Sequence, residues 1–220
     1  MINIAIDGPA GAGKSTIAKA AAANLGFVYV DTGALYRAIG LYVINKGIDT
    51  KDAENIEKAL GGIDIKLKFI DGEQRVILND VDVSLKIRTP EVSMAASDVS
   101  AIKCVRAFLF DLQRSIAREN DCIMDGRDIG TVVLPDAQIK IFLTALPEER
   151  ARRRYDEFVL KGIETTFDEV MKDISQRDFN DANRPIAPLK PAENAIIIDT
   201  TGNDLEQSVN IIINTIRERI

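Results

Sequence analysis

The sequence contains no histidine. Histidine is the side chain whose ordinary pKa lies nearest neutrality, and it is the most common general acid–base group in enzymes. Without it, the usual general base near neutral pH is missing from this chain. Any reaction that the chain catalyses is therefore expected to depend on the positioning of reactants and on charge.

Cysteine is also scarce, and long apolar runs are missing. Cys104 and Cys122 do not make a disulfide framework, and no histidine could join them in a metal site. Residues 1–7 form one short apolar run without a basic segment before it, and no stretch is long enough to span a membrane. We expect free thiols, a cytoplasmic location and no membrane partner.

Positive charge is in deficit. The chain has 28 Lys and Arg against 34 Asp and Glu, which gives a net charge of −6. An acidic protein is repelled by nucleic acid, so we expect no nucleic-acid partner, and any anion site must be a local cluster of arginine and lysine. A length of 220 residues suits one domain covering 1–220. We expect that domain to be a monomer.

Hydrophobic patterning indicates strands that alternate with helices. Short apolar runs predict buried parallel strands at 2–6, 27–30, 122–124, 139–143 and 195–198. Apolar residues at helical spacing predict helices at 14–25, 32–45, 52–60, from Thr89 to about Arg118 with a break near Ser100, 147–161, from near Thr165, and 204–220. The fold class is therefore α/β, in three layers, with a five-stranded parallel sheet and helices on both faces.

Two segments depart from this alternation. In the insert at 63–89, apolar and polar residues alternate over 65–69, Asp71-Gly72 supplies a turn, and a second run begins at Val76, which predicts a small antiparallel β meander. Between the last two strands of the sheet, a charged excursion at about 148–188 contains Thr166 and Glu169 at capping-box spacing. We interpret this excursion as a helical lid.

The strongest motif lies between the first strand and the first helix. It fits G-x-x-x-x-G-K-[ST] at every fixed position, and its residues are Gly8, Pro9, Ala10, Gly11, Ala12, Gly13, Lys14 and Ser15. Backbone N–H groups of such a loop surround the phosphates of a nucleoside triphosphate, and the helix presents its positive end to them. Lys14 can reach the β- and γ-phosphates, and the Ser15 hydroxyl can ligate Mg²⁺.

That phosphate loop does not distinguish a kinase from an ATPase or a GTP-dependent switch. A switch normally needs an N-K-x-D guanine reader. The nearest string, at 45–49, has one residue too many and follows a helix instead of a strand. The switch remains an alternative that the sequence disfavours.

A phosphorylated acceptor needs cationic side chains opposite the phosphate loop. Arg37 lies in the helix that Thr32 caps, and Arg127 lies between Asp125 and Asp128 after the third main-sheet strand, where α/β sheets bind ligands. Further candidates share helical faces: Arg150, Arg153 and Arg154, and then Arg177, Asp181 and Arg184. For any single arginine, the alternative is a solvated surface residue paired with nearby acids.

Across nearly its whole length the sequence resembles the bacterial-type cytidylate kinases, a family of nucleoside monophosphate kinases with a phosphate loop. The resemblance rests on five segments: GPAGAGKST at 8–16, DTGALYRA at 31–38, IRTPEVSMAAS at 87–97, DGRDIGTVV at 125–133 and RDFNDANRPIAPL at 177–189. The insert at 63–89 matches the monophosphate-side insert of that family. Many relatives have Gly-Lys-Gly-Thr where this chain has Gly13-Lys14-Ser15-Thr16, so the Mg²⁺-side hydroxyl is Ser15, as the motif favours, or Thr16.

The resemblance implies roles for individual residues. Arg37 and Arg127 would grip the CMP phosphate, with Thr32 and Asp125 beside it. The sugar contacts would be Ser97, Arg177 and Asp181, and the cytosine side would be Arg106, Asp128 and Arg184. Three arginines would belong to the lid that closes over the transferring phosphoryl group, namely Arg150, Arg153 and Arg154.

The resemblance thus implies ATP-dependent phosphorylation of CMP and dCMP, with Lys14, Arg127 and the lid arginines as catalytic residues and Mg²⁺ as the metal. An acceptor that is already anionic needs no strong base, in keeping with a chain without histidine. A kinase for UMP, AMP or a small carboxylated metabolite remains an alternative, because only the base-side residues disfavour it.

Overall fold

The structure is a computed structural model that describes residues 1–70 and 73–220. In chain order, its strands are β1 (Asn3–Asp7), β2 (Val28–Asp31), β3 (Ile65–Ile70), β4 (Glu73–Leu78), β5 (Val81–Asp82), β6 (Cys122–Gly126), β7 (Ile139–Thr144) and β8 (Ile196–Asp199). The α-helices are α1 (Lys14–Leu25), α2 (Thr32–Asn45), α3 (Ala53–Leu60), α4 (Pro90–Ser100), α5 (Lys103–Glu119), α6 (Pro147–Leu160), α7 (Phe167–Asn183) and α8 (Leu205–Arg217). A 3₁₀ turn spans Lys86–Arg88, and a π-helical turn spans Ile129–Val133.

The main sheet is parallel and has five strands in the order β2-β6-β1-β7-β8. Its register aligns the carboxyl ends of three neighbouring strands, because Asp31 is the partner of Asp125 and Asp7 is the partner of Gly126. Ligands of open α/β sheets bind outside these carboxyl ends. The loops that follow β1, β2 and β6 therefore start side by side at one edge.

Helices cover both faces of the sheet, as the sequence predicts. Successive side chains of a strand point to opposite faces. Ile4 and Ile6 pack with residues of α1 and α8 in one core cluster, whereas Ala5 packs with Ile116 of α5 in another. Burial on both faces accounts for the continuous apolar runs that identified these strands.

The meander expected at 63–89 is present as an antiparallel sheet in the order β3-β4-β5. Its buried residues, among them Ile65, Val76 and Leu78, join a separate core with residues of α2, α3, α4 and α5. The turn expected at Asp71-Gly72 lies outside the described residues. The insert thus packs on the side of the molecule that carries the loop after β2.

The excursion contains the two helices α6 and α7, which pack on each other through Ala151, Phe158, Val170 and Ile174. The capping box is present, because Thr166 and Glu169 exchange side-chain-to-backbone hydrogen bonds. The helix ends at Asn183, and Arg184 is extended with φ −63° and ψ 141°. Pro185 restricts the residue before it in this way. The opening and closing of this segment as a lid remain a prediction.

Helix and strand boundaries agree with the sequence patterns to within one or two residues for most elements. The long helical segment after Thr89 is two helices, α4 and α5, which separate close to the break expected near Ser100. Within 1–70 and 73–220, no helix combines the length and the apolarity needed to cross a bilayer.

Candidate active site

The carboxyl ends of β1, β2 and β6 open onto a cleft of about 700 Å³. Most of the residues that the sequence singles out line it: Ala10, Gly11, Ala12, Gly13, Lys14, Ser15, Thr16, Thr32, Arg37, Ser97, Asp125, Arg127, Asp128, Arg153, Arg154, Arg177, Asp181 and Arg184. Gly8, Pro9, Arg106 and Arg150 lie outside the wall of the cleft. One concave site therefore gathers segments from both ends of the chain.

The phosphate loop connects β1 to α1. Gly8 has a φ of 153°, and a Cβ there would lie 2.0 Å from the carbonyl oxygen of Leu143, so only glycine fits. Helix α1 begins at Lys14, directly after Gly13 in a left-handed conformation without a side-chain cap. The free N–H groups at this helix start therefore point into the cleft, where they can receive an anion.

Lys14 lies beneath the loop and is only 5% exposed. Its ammonium donates a hydrogen bond to the carbonyl oxygen of Pro9 at 2.8 Å. Burial, and next the charge of Arg127, lower the pKa of Lys14 well below its usual value. A buried cation in a cleft with other cations is stabilised when an anion arrives.

Asp125 joins the phosphate loop to the end of β6. Its Oδ2 accepts a hydrogen bond from the Ser15 hydroxyl at 2.9 Å, and its Oδ1 accepts one from the Tyr29 hydroxyl at 3.1 Å. Burial, and next the charge of Asp31, raise the pKa of Asp125 to about 6. A hydroxyl beside a carboxylate is the oxygen donor set that Mg²⁺ uses when phosphates supply its other ligands. The residues present thus fit the metal expected at Ser15.

Arginines line the same cleft as the phosphate loop. Arg127 donates through Nε to Asp181 at 2.8 Å. Arg177 is half-buried, and its buried Nε has no hydrogen-bond partner among the described residues. Burial, and next the charge of Arg127, lower the pKa of Arg177 to about 10. Cations that repel one another in a protein interior are typical of a site that binds an anion.

A second cationic group surrounds Asp31, which is 3% exposed. Its Oδ2 lies 3.3 Å from Arg37 and 3.2 Å from Arg88. Burial alone would raise the pKa of this carboxyl, but the two guanidinium groups lower it. Asp31 also caps α2 by accepting a hydrogen bond from the N–H of Ala34. The carboxylate thus orients Arg37 toward the cleft and adds Arg88 to its lining.

Another part of the site is a buried acid between two arginines. Asp128 accepts hydrogen bonds from Arg106 and, at 3.0 Å, from Arg184. The Arg106 guanidinium also lies 5.9 Å from the ring centroid of Tyr36. Ser97 lines the cleft beside this group. Such a fixed set of donors, acceptors and an aromatic face suits recognition of a planar polar ring.

Asp7, the last residue of β1, holds the turn that follows β6. Its two carboxylate oxygens accept the backbone N–H groups of Ile129 and Gly130, both at 2.8 Å. Burial raises the pKa of Asp7 to about 6, although both hydrogen bonds and Lys14 oppose that rise. Asp7 therefore ties the turn that carries Arg127 and Asp128 to the strand that leads into the phosphate loop.

The three arginines that the resemblance assigns to the lid differ in their exposure to the cleft. Arg153 donates to the carbonyl oxygen of Thr200 at 2.7 Å, and Arg154 pairs with Glu157 at 2.7 Å, both on the cleft wall. Arg150 is instead buried behind the wall and bonded to the phosphate loop. Its engaged guanidinium faces protein atoms and not the cleft.

Thr32 does not cap α2 as the sequence predicts, because Asp31 is the N-cap and Thr32 is the first residue of the helix. It is 2% exposed, and its Oγ1 donates to the carbonyl oxygen of Asp125 at 2.8 Å. That bond fastens the end of β6 to the start of α2. The Thr32 hydroxyl therefore stabilises the fold, and the residue also lines the cleft.

Sequence reasoning missed several residues of this site. Asp7, Asp31 and Arg88 lie within or beside the quoted segments, but no motif position marks them. The sequence did contain a signal for Asp31. An aspartate directly before a helix is a typical N-cap, and its carboxylate could also pair with an arginine in the first turns of that helix. On the donor side, cleft residues 203–205 and Ser208 follow β8, and no charge cluster pointed to them.

Comparisons with known proteins agree with the resemblance. The family model described as cytidylate kinase matches residues 4–218. A cytidylate kinase of Caldicellulosiruptor saccharolyticus is 54% identical over 206 residues, which cover 94% of this chain and 91% of the relative. A cytidylate kinase of Fusobacterium nucleatum is 50% identical and covers 96% of this chain and 95% of the relative.

Among solved structures, an uncharacterized protein of Eubacterium ventriosum superposes with a TM-score of 0.54, at 13% identity, over 100% of both chains. That likeness concerns the fold alone. The family assignment rests on the sequence relatives and on the family model, which extends over nearly the whole chain. This protein belongs to the cytidylate kinase family.

Proposed function

We propose that this protein is an ATP-dependent kinase that phosphorylates CMP and dCMP, giving ADP and CDP or dCDP. The observation that carries the proposal is that one cleft contains both groups. Its lining includes the phosphate loop together with Arg37, Arg127 and Arg177. A triphosphate site in the same cleft as a second anion site suits a kinase whose acceptor is itself a phosphate.

The acceptor site supports this assignment by charge and by unmet hydrogen-bonding capacity. The buried Nε of Arg177 has no hydrogen-bond partner among the described residues, and burial and the charge of Arg127 lower the pKa of this guanidinium. A phosphate held by Arg127 would offset the repulsion between the two guanidinium groups, and a sugar hydroxyl would accept a hydrogen bond from Arg177. In the proposal, Arg37 and Arg127 hold the CMP phosphate, while Ser97, Arg177 and Asp181 contact the sugar.

The reaction needs no protein base. An oxygen of the CMP phosphate attacks the γ-phosphorus of ATP, a new O–P bond forms, and the bond to the β,γ-bridging oxygen breaks. The electron pair of that bond leaves with ADP. Lys14 and the cleft arginines stabilise the charge of the transferring group, and the residues that bind the two substrates hold them in line. Closure over the cleft would exclude water, which would otherwise accept the phosphoryl group.

A bound Mg²⁺ would neutralise charge on the ATP phosphates. The Ser15 hydroxyl and the Asp125 carboxylate are the oxygen donors that would hold it, directly or through water. Asp125 is buried against the loop with a raised pKa, so a divalent cation would favour its ionised form. Thr16 lines the same cleft and is the alternative hydroxyl.

Preference for cytosine would come from the group around Asp128. Asp128 and Arg184 line the cleft, and Arg106, outside its wall, helps to fix Asp128, so an acceptor and a donor are offered in set directions. A site built to satisfy one pattern of donors and acceptors rejects rings with another pattern, because buried polar groups would be left unpaired.

An ADP-release assay over a panel of acceptors tests the proposal. Purified protein with ATP and Mg²⁺ is given CMP, dCMP, UMP, AMP or no acceptor. We expect turnover with CMP and dCMP well above that with UMP and AMP, and little ADP without an acceptor. AMP as the best acceptor would overturn the base assignment, and tight GTP binding without phosphoryl transfer would favour a switch.

As part of the same proposal, the enzyme works as a monomer in the cytoplasm. In the structure Cys104 and Cys122 are both free thiols, as a reducing compartment would keep them. Sedimentation of the purified chain at several concentrations tests the monomer, and a mass that rises with concentration would contradict it.

A further inference from the structure

The two helices of the excursion contact the phosphate loop at Ala10. The Ala10 N–H donates to Oδ1 of Asp178 at 3.3 Å, and the Ala10 carbonyl oxygen accepts from Nη1 of Arg150 at 2.7 Å. Arg150 and Asp178 are themselves paired, with Nη2 and Oδ2 2.7 Å apart. One residue from α6 and one from α7 thus form a closed ring of interactions with both backbone polar groups of Ala10.

Arg150 is fully committed to this arrangement. It is 4% exposed, and its remaining donor nitrogen, Nε, bonds the carbonyl oxygen of Ala145 at 2.9 Å. A buried guanidinium is tolerated only when its charge is paired and its N–H groups are bonded. Here the acid of α7 supplies the charge, and two backbone carbonyls supply the acceptors. These partners therefore fix the Arg150 guanidinium in the position from which it bonds the phosphate loop.

The next residue of the loop packs against the same two helices. Gly11 has a φ of 74°, and a Cβ there would lie 2.9 Å from the backbone oxygen of Arg150 and 3.2 Å from Cδ1 of Ile174. The loop thus approaches α6 and α7 as closely as backbone allows. This steric contact is independent of the hydrogen bonds at Ala10, and both fix the same stretch of the loop.

We propose that Arg150 and Asp178 are positioning residues that hold Ala10, and with it the phosphate loop, in the conformation that receives the triphosphate of the donor. The inference deepens the proposed function and rests on it. N–H groups of the loop must converge on one anion, so the orientation of each peptide matters for donor binding. Arg150 would act through the loop and not on the transferring phosphoryl group.

The test compares Asp178→Asn, Arg150→Met and the double variant with the wild type. In steady-state assays with CMP as acceptor, each single change is expected to raise KM for ATP by about fivefold or more, and to leave KM for CMP within about twofold. Because the two residues form one unit, the double variant should lose much less than the product of the single losses. A purely stabilising role would not separate the two KM values.

Matched controls lie on the exposed side of α7. Lys172→Met, Asp173→Asn and their double variant also remove one positive and one negative charge, here both from α7, at positions that the cleft does not include. They should leave both KM values unchanged. Thermal unfolding is measured for every variant, and if Arg150→Met does not fold, Asp178→Asn alone decides the matter.

Equal increases in both KM values, or losses that multiply in the double variant, would overturn the inference. The inference can also be separated from the assignment of the reaction. If the wild type shows no turnover with CMP, calorimetric binding of a non-hydrolysable ATP analogue to the wild type and to Asp178→Asn still tests whether this pair positions the phosphate loop. Unchanged analogue affinity in that variant would refute it.

Discussion

The side-chain amide of Gln74 bonds both backbone polar groups of Asp31: its Oε1 accepts the N–H at 2.9 Å, and its Nε2 donates to the carbonyl oxygen at 3.3 Å. Strand β2 is the edge of the main sheet, so these groups face away from the neighbouring strand. Edge groups without partners are costly when they are partly buried. Gln74, from the insert, therefore gives these two backbone groups the hydrogen-bond partners that a further strand would give them.

This contact predicts that Gln74→Leu weakens the acceptor side. Asp31 would lose the bonds that fix its backbone, and Asp31 orients Arg37 and Arg88. We expect the free energy of unfolding to fall by about 1–3 kcal/mol. We also expect KM for CMP to rise by about threefold or more while KM for ATP stays within about twofold.

Urea unfolding and steady-state assays measure these effects. Gln176→Leu is the matched control, since its exposed amide bonds Asn180 one turn along the same helix. An unchanged KM for CMP in a destabilised Gln74→Leu would limit the residue to a structural role.

Arg127→Ala tests the acceptor-binding arginine. The change removes the guanidinium that pairs with Asp181 in the cleft. We expect kcat/KM for CMP to fall on the order of 10²-fold or more, because a cation that stabilises developing charge is lost. Circular dichroism should show a folded chain, and Arg118→Ala, at an exposed position of α5, is the control. Near-normal CMP phosphorylation in the variant would refute the assignment.

Lys14→Met separates catalysis from stability. The side chain is buried and burial lowers its pKa, so the protein loses little when the charge is replaced by a thioether of similar length. Turnover should fall on the order of 10²-fold or more, because Lys14 is the cation assigned to the β- and γ-phosphates. Thermal unfolding should show a midpoint close to that of the wild type. Substantial unfolding without a loss of turnover in the folded fraction would contradict this.

The pH dependence of stability should have an unusual sign between about pH 4 and pH 6. Burial raises the pKa values of Asp7 and Asp125 from 3.8 to about 6 in the folded protein. In that range the native state binds more protons than the unfolded state, so the free energy of unfolding falls as pH rises. Each group contributes about 3 kcal/mol at most.

Chemical unfolding of the substrate-free protein at intervals of pH measures this slope. Asp7→Asn and Asp125→Asn should each flatten it, since an amide does not titrate. Stability that increases steadily from pH 4 to pH 6 in the wild type would show that these carboxyls are not the dominant titrating groups there.

Much of the fold was accessible from the sequence because local signals were strong. The strands buried on both faces are continuous apolar runs in the sequence, and Gly26 directly follows the helical pattern of α1 and ends that helix in a left-handed conformation. The order of the strands was not accessible, since parallel pairing joins residues far apart in the chain. Asn3, for example, pairs with Cys122.

Site residues differed in the same way. Lys14 and Ser15 occupy fixed positions of the phosphate-loop motif, so the sequence pattern was enough to identify them. Asp7 and Asp178 act through backbone groups distant in sequence, Gly130 and Ala10, and no spacing rule announces such contacts.

The sequence by itself determined the phosphate loop, the alternation of strands and helices, the β insert and the family. These follow from local periodicity, from the backbone freedom of glycine and from the fixed chemistry of a short motif. Only the tertiary structure decided which arginines are available to a substrate. Arg150 and Arg153 lie on one helix face, yet Arg150 is buried against the phosphate loop while Arg153 lines the cleft. Burial and bonding partners depend on neighbouring elements, and helical spacing alone does not contain them.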